Sequence, residues 1–175
     1  MLCSKATSSS GVVFIAESFF NVLWPCRRCP IVEKLGAGLA DQLKDLGART
    51  VLAPAMGGLV IGQEVARQLG LRFIFVEKEE GQLVLRRGFR IEPGEPLLIV
   101  EDVVTKGGRV AETLAIARQH QADVKGIGLL VDRSNGTVDF GVPFHPLIRM
   151  KVETFEPDQL PEDLQGSEAT KPGSK

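Results

Sequence analysis

The chain has 175 residues and a mass of 19.0 kDa, with 43% hydrophobic and 25% charged residues, a formal net charge of -1 and a pI near 6.2. That length can bury a core of its own, and the near-neutral charge excludes a general polyanion binder, so no nucleic-acid partner is expected. No apolar run reaches the ~18 residues of a membrane span.

Residues 1–11 are rich in Ser and read as loose. The most apolar N-terminal stretch, residues 11–24, is interrupted by Glu17, Ser18 and Asn21, and Lys5 alone is a poor basic start for a secretory signal. A cytoplasmic protein without a membrane partner is expected. Cys3, Cys26 and Cys29 are an odd number in a chain that is not Cys-dense, which argues against a disulfide framework. Cys26 and Cys29 form C-x-x-C, a spacing used for metals and for redox cycling, but two thiols are half of a closed zinc site. The plainer reading is two reduced thiols near a loop.

Ile31, Leu35, Leu39, Leu43 and Leu46 recur at helical spacing and predict a helix over 31–46, with Gly47 where a helix stops. Residues 50–53 read as a short apolar strand, followed by the loop Pro54-Ala-Met-Gly-Gly58. A second helix is predicted over 59–69 and a strand over 72–76. The charged stretch 77–94 reads as a hairpin or flap, residues 97–100 as a buried strand, 110–120 as a helix and 124–131 as another apolar strand. This alternation predicts an α/β fold, a parallel sheet with helices on both faces. Ligands of such sheets gather at the carboxyl ends of the strands. From Glu156 onward Pro, acidic residues, Ser and Gly dominate, so the end of the chain reads as a mobile tail.

The richest string is Leu97-Leu-Ile-Val-Glu-Asp-Val-Val-Thr-Lys-Gly-Gly-Arg109. Glycines let backbone N–H groups approach a phosphate, and the helix that follows adds unpaired N–H groups and a positive dipole end. Thr105 adds a hydroxyl, and Lys106 and Arg109 add positive charge. Glu101 and Asp102 would repel a phosphate, and they make sense as ligands of ribose hydroxyls or of a Mg²⁺ shell. The bland alternative is a solvated acidic pair before a common Gly turn. The string matches neither G-x-x-x-x-G-K-[ST] nor G-x-G-x-x-G.

Residues 99–108 resemble the phosphoribosyl pyrophosphate (PRPP) signature of type I phosphoribosyltransferases. The resemblance extends over 48–157. It implies one domain over 1–157, with 1–30 as an N-terminal hood and 158–175 as the tail. It also implies that Glu101 and Asp102 hold the ribose hydroxyls, that Thr105, Lys106, Gly107, Gly108 and Arg109 cradle the 5′-phosphate, and that Val103 and Val104 belong to the same PRPP site. Where the family commonly has hydroxyl residues this chain has Lys106 and Arg109, cations that supply charge-assisted bonds instead.

Several segments resemble the orotate branch of that family. Ala55, Met56 and Gly57 resemble its pyrophosphate loop, although alone they read as an ordinary strand-to-helix turn. Phe19 and Phe20 resemble an aromatic pair near orotate; a core role is the usual fate of Phe. Arg133 in Val131-Asp-Arg-Ser134 resembles the arginine that grips the orotate carboxylate, with Thr105 beside it; the plainer reading is a surface arginine paired with Asp132. Residues 77–90 resemble the flap, making Lys78 and Arg87 candidate catalytic cations together with Asp102, although the flap has no His. The resemblance implies transfer of phosphoribosyl from PRPP to orotate, Mg²⁺ held mainly by PRPP near Glu101 and Asp102, and a homodimer. The alternatives are a purine phosphoribosyltransferase, a non-catalytic nucleotide-binding regulator of the same fold, and a redox or metal protein built on Cys26 and Cys29. His120 and His145 lie far from these motifs, and a structural role is expected for both.

Overall fold

Strands apolar on both sides must be covered on both sides, and this chain has three of them. In the computed structural model they form the middle of a six-stranded sheet. The structure describes residues 26–151, together with three short strands outside them. In chain order the elements are β1 (Ser4–Thr7), β2 (Val13–Ala16), α1 (Cys29–Leu43), β3 (Thr50–Pro54), α2 (Gly57–Leu69), β4 (Arg72–Glu79), β5 (Gln82–Leu85), β6 (Pro96–Val104), α3 (Gly108–Gln119), β7 (Asp123–Asp132), β8 (Phe144–Arg149) and β9 (Thr154–Phe155).

The chain divides into two compact units, Met1–Asn21 with Lys151–Lys175, and Val22–Met150. The first holds a small antiparallel sheet in the order β1-β2-β9, with Ser4 opposite Ala16 and Ile15 opposite Phe155. Ser4–Thr7, expected to be loose, is therefore a strand: it finds backbone partners in β2 that local composition does not reveal. The tail 158–175, Phe19 and Phe20 lie outside the described residues.

The second unit carries the large sheet, in the order β5-β4-β3-β6-β7-β8. All neighbours are parallel except β5, which folds back antiparallel on β4. Alternation along β6 splits the core into two layers. Leu97 and Ile99 join Val110, Leu114 and Ala117 of α3. Leu98 and Val100 join Leu39 and Leu43 of α1 and Ile61 and Val65 of α2.

The helices follow the periodicity of the sequence with adjusted ends. α1 begins at Cys29 because Pro30 is tolerated in a first turn, where its missing N–H has no partner to lose. It tightens into a 3₁₀ turn, Lys44–Leu46, and Gly47 stops it at φ 69°. Gly70 ends α2 in the same left-handed conformation. Three differences concern the strands. The flap stretch forms a hairpin of only four residue pairs, Val76–Leu85 to Glu79–Gln82, closed by Glu80 and Gly81 at positive φ. β6 does not stop at Val100 but runs to Val104, because β7 pairs with it as far as Asp132. β8 was not expected, since Pro146 removes a donor from it; as the edge strand it has no neighbour to miss that donor.

Close approach of α2 to β3 depends on Gly62. A Cβ there would lie 2.8 Å from the Ala53 Cβ and 3.1 Å from the Phe73 ring. Gly62→Ala is expected to lower stability by about 1–3 kcal/mol through overpacking, as read from denaturant unfolding.

Candidate functional site

β6 carries its acids inside the strand rather than after it, so the sheet buries them. Glu101 is 4% and Asp102 9% exposed. The Asp102 N–H donates to Glu101 Oε1 at 3.0 Å, and the Val103 N–H donates to Asp102 Oδ1 at 2.8 Å. Burial pushes Glu101 up to about 9; a hydrogen bond with Asp102 and the charge of Asp102 add to the rise, and Arg109 opposes it. Two adjacent buried carboxyls cannot both ionise cheaply, so Glu101 keeps its proton at neutral pH.

The turn between β3 and α2 is pressed onto this pair. A Cβ on Gly57 would lie 2.6 Å from Asp102 Oδ1. One on Gly58 would lie 2.8 Å from the Val100 carbonyl and 3.2 Å from Glu101 Oε1. Gly58 was not singled out in the sequence; the signal for it is the doubled glycine at a helix start. The turn is anchored by the Ala55 N–H donating to the Val76 carbonyl at 2.7 Å, and the Ala55–Met56 peptide is cis.

Beyond the acids, Val103–Val110 line a small hollow of about 80 Å³. Gly107 turns the chain at φ 78°, and a Cβ there would meet Val138 at 3.0 Å and Phe140 at 3.1 Å. α3 starts at the next residue and offers its unpaired N–H groups and positive dipole end to the hollow. Thr105 and Lys106 are exposed. Arg109 reaches across and donates from Nη1 to the Ala55 carbonyl at 3.3 Å, tying the two loops together. The structure thus brings Ala55, Gly57 and the segment 101–109 together, with Met56 74% exposed beside them.

The end of β7 joins this site through the backbone. The Arg133 N–H donates to the Val104 carbonyl at 2.8 Å, one residue before Thr105. The Arg133 Nε is buried and has no partner among the described residues, and burial lowers the pKa of the guanidinium. Arg133 is not the surface partner of Asp132. The Asp132 carboxylate instead accepts from the Ser134 N–H at 2.9 Å and the Ser134 hydroxyl at 2.6 Å, and faces Arg149 Nε at 3.7 Å. Arg133 is thus half-buried at a strand end with a buried, unpartnered Nε, the kind of donor that a buried site leaves for an acceptor.

The described geometry agrees with the comparisons to known proteins. A model of the phosphoribosyl transferase domain matches residues 28–140. An orotate phosphoribosyltransferase of Rhizorhabdus wittichii is 47% identical over 175 residues, 99% of this chain and 87% of that one. The chain belongs to the orotate phosphoribosyltransferase family. A member from Desulforamulus reducens is 47% identical over 143 residues, covering 82% of this chain and 75% of that one. Among solved structures, the orotate phosphoribosyltransferase of Aeropyrum pernix superposes with a TM-score of 0.67 at 19% identity, over 83% of this chain and 85% of that one. The adenine phosphoribosyltransferase of Thermoanaerobacter pseudethanolicus reaches 0.68 at 18% identity, over 86% and 96%. These two likenesses carry the type I phosphoribosyltransferase fold alone: adenine and orotate enzymes fit this backbone equally well.

The remaining candidates of this family member are placed differently. Lys78 is exposed on β4, and alternation puts it on the side of Ile74 and Val76. Arg87 pairs with Glu77 at 2.9 Å and stacks 5.9 Å from the Phe75 ring centre, on the opposite side of the same strand. The structure therefore does not bring Lys78 and Arg87 together. His120 caps the end of α3, and His145 lies inside β8 opposite Gly128. Cys26 is buried and Cys29 exposed; burial, and then the charge of Asp102, hold the Cys26 thiol above its ordinary range and so protonated. Among the described residues no group of three or more His, Cys, Asp or Glu converges as a metal site. Glu101 and Asp102 are the acidic donors available in the cleft.

Glu101 also sets a pH dependence. Its folded value, about 9, lies above the ordinary 4.5, so the stability it contributes is full below 4.5 and is lost as pH rises towards about 9. Without ligand, Glu101→Gln is expected to remove this slope. It should melt above the native protein at alkaline pH, by on the order of a few kcal/mol, and close to it in acid, as measured by thermal melts across pH.

Proposed function

We propose that this chain transfers the phosphoribosyl group of PRPP to orotate, giving orotidine 5′-phosphate and pyrophosphate in the formation of UMP. The observation that carries it is the contact of Gly57 and Gly58 with the Asp102–Glu101 pair, beside the hollow at the start of α3. Identity of 43–48% to orotate phosphoribosyltransferases over most of the chain supports orotate as the base. So does the unpartnered Nε of Arg133, because the carboxylate distinguishes orotate from uracil.

In the reaction the C1–O bond to pyrophosphate breaks, the leaving oxygen takes the electron pair, and a ring nitrogen of orotate bonds to C1 as its proton passes to solvent or to the departing pyrophosphate. The chain's task is to position both partners and to stabilise the charge that leaves. Glu101, holding its proton, donates to one ribose hydroxyl, while Asp102 accepts from its neighbour. The N–H groups from Thr105 to Arg109, with the Thr105 hydroxyl, hold the 5′-phosphate. Met56 and Gly57 wrap the pyrophosphate with backbone donors, in a turn that Ala55 anchors to Val76, and Arg109 adds charge at that boundary. Phe19 and Phe20 are assigned to the faces of the base, with Thr105 and Arg133 at its edge. Lys78 and Arg87 are assigned to a closing flap that excludes water.

The donor set fits Mg²⁺. One carboxylate, Asp102, beside a protonated Glu101, with no third acidic ligand among the described residues, suits an ion that keeps waters and takes its other oxygens from substrate phosphates. Bound with PRPP, Mg²⁺ would neutralise charge on the leaving pyrophosphate. Glu101 and Asp102 would lie at its edge.

A homodimer is part of the same reading. Val60, 43% exposed, lines a largely apolar groove of about 450 Å³ together with Val32, Leu59, Phe73 and Phe75. A second copy would cover it, and Val60→Asp is expected to shift the sedimentation coefficient towards that of the monomer.

Incubation with orotate, PRPP and Mg²⁺ should consume orotate absorbance, whereas adenine, hypoxanthine and uracil should release no pyrophosphate. Chelation with EDTA should stop turnover. Arg133→Ala is expected to lower kcat/KM for orotate by about 2–3 kcal/mol, roughly 30- to 150-fold, with little change in KM for PRPP. Turnover of a purine base but not of orotate would overturn the assignment.

A further inference from the structure

A guanidinium reads a carboxylate only if its loop is held still, and the residues that hold this loop do not themselves face the base. Asp132 is buried at 5% exposure at the last position of β7, where it lies opposite Val104 on one side and Arg149 on the other. Its carbonyl accepts from the Met150 N–H at 2.8 Å, so its backbone is fixed in the sheet. Its carboxylate then organises the turn that follows. Oδ1 accepts from both the N–H and the hydroxyl of Ser134. The Ser134 hydroxyl in turn accepts from the Gly136 N–H at 3.3 Å, and its carbonyl accepts from the Thr137 N–H at 3.1 Å and the Thr137 hydroxyl at 2.6 Å. Ser134 is 4% exposed, and Asn135 and Gly136 complete the turn at positive φ.

Arg133 is the residue spanned by this knot. Its N–H is committed to Val104 and its two flanking residues are locked to each other, while its own side chain has a buried Nε without a partner among the described residues. The buried acid nearest in sequence, Asp132, spends its near oxygen on Ser134 rather than on the guanidinium next door. That choice leaves the half-buried Arg133 with a buried Nε that no acceptor among the described residues occupies.

We propose that Asp132, acting through Ser134, is a positioning residue for base specificity. It sets the position of Arg133 against the peptide that leads into the phosphate loop, and so controls affinity for the carboxylate-bearing base without touching it. The proposal rests on the assignment of Arg133 to the orotate carboxylate.

The prediction is a selective KM effect. Asp132→Ala should raise KM for orotate by about tenfold or more, while kcat and KM for PRPP change by roughly threefold at most. Asp132→Asn retains an oxygen that can accept from Ser134 and should stay near the native KM. Ser134→Ala keeps the N–H contact, should fold even if Asp132→Ala does not, and should shift the orotate KM in the same direction by less. On an Arg133→Ala background, Asp132→Ala should add nothing further. A uniform loss of kcat and of both KM values, additivity with Arg133→Ala, or an unchanged orotate KM in Ser134→Ala together with Asp132→Ala would overturn the clamp. An unchanged orotate KM in Arg133→Ala alone would instead remove the role of Arg133, and the clamp would fall with it.

Discussion

The structure depends on two carboxyls kept out of water at the end of a central strand. Removing a carboxylate from solvent is costly unless it is protonated or well bonded. Here one acid resolves the cost by keeping its proton, and backbone N–H groups at the strand end serve both. The glycines of the neighbouring turn make the arrangement possible, because any side chain at Gly57 would occupy the space of the Asp102 oxygens. The acids in β6 and the glycines after β3 are thus one structural unit, although 43 residues or more separate them along the chain.

That unit explains the layout of the rest. β3 and β6 are neighbours at the centre of the sheet, so the turns that leave them necessarily meet. α2 and α3 depart to opposite layers of the core and open a cleft between their starts. β7 continues the ladder and delivers Arg133 beside Val104. The chemistry is then set by which backbone donors remain free in that cleft, and the side chains sharpen it.

Much of this was legible in the sequence because the decisive signals are local. Periodicity, glycine stops and the alternation with strands located the three long helices of the described residues, and Leu97–Arg109 reads as strand, acids, turn and helix without any partner. The resemblance of that string to a family then gave the fold and the chemistry. What was not legible depends on contacts across the sheet. β6 extends over Glu101–Val104 only because β7 pairs there, and β8 exists only because an edge tolerates Pro146. The placement of Lys78 and Arg87 on opposite sides of β4 follows from a strand longer than its apolar run. The partners of Asp132 could not be chosen from sequence, since Arg133 and Ser134 both lie within two residues of it.

The bond from the Arg133 N–H to the Val104 carbonyl carries a wider consequence. It fastens the corner after β7 to the corner after β6 by a single rung of the ladder. The spacing between those corners is therefore inherited from sheet geometry and does not have to be re-established by each side chain; on the proposed function, that spacing is the one between sugar and base. A lineage could replace the corner after β7 wholesale, and with it the kind of ring accepted, while the sugar-phosphate end kept its shape. Enzymes for unlike bases can then share one backbone, as the equal superposition of adenine and orotate enzymes on this chain illustrates.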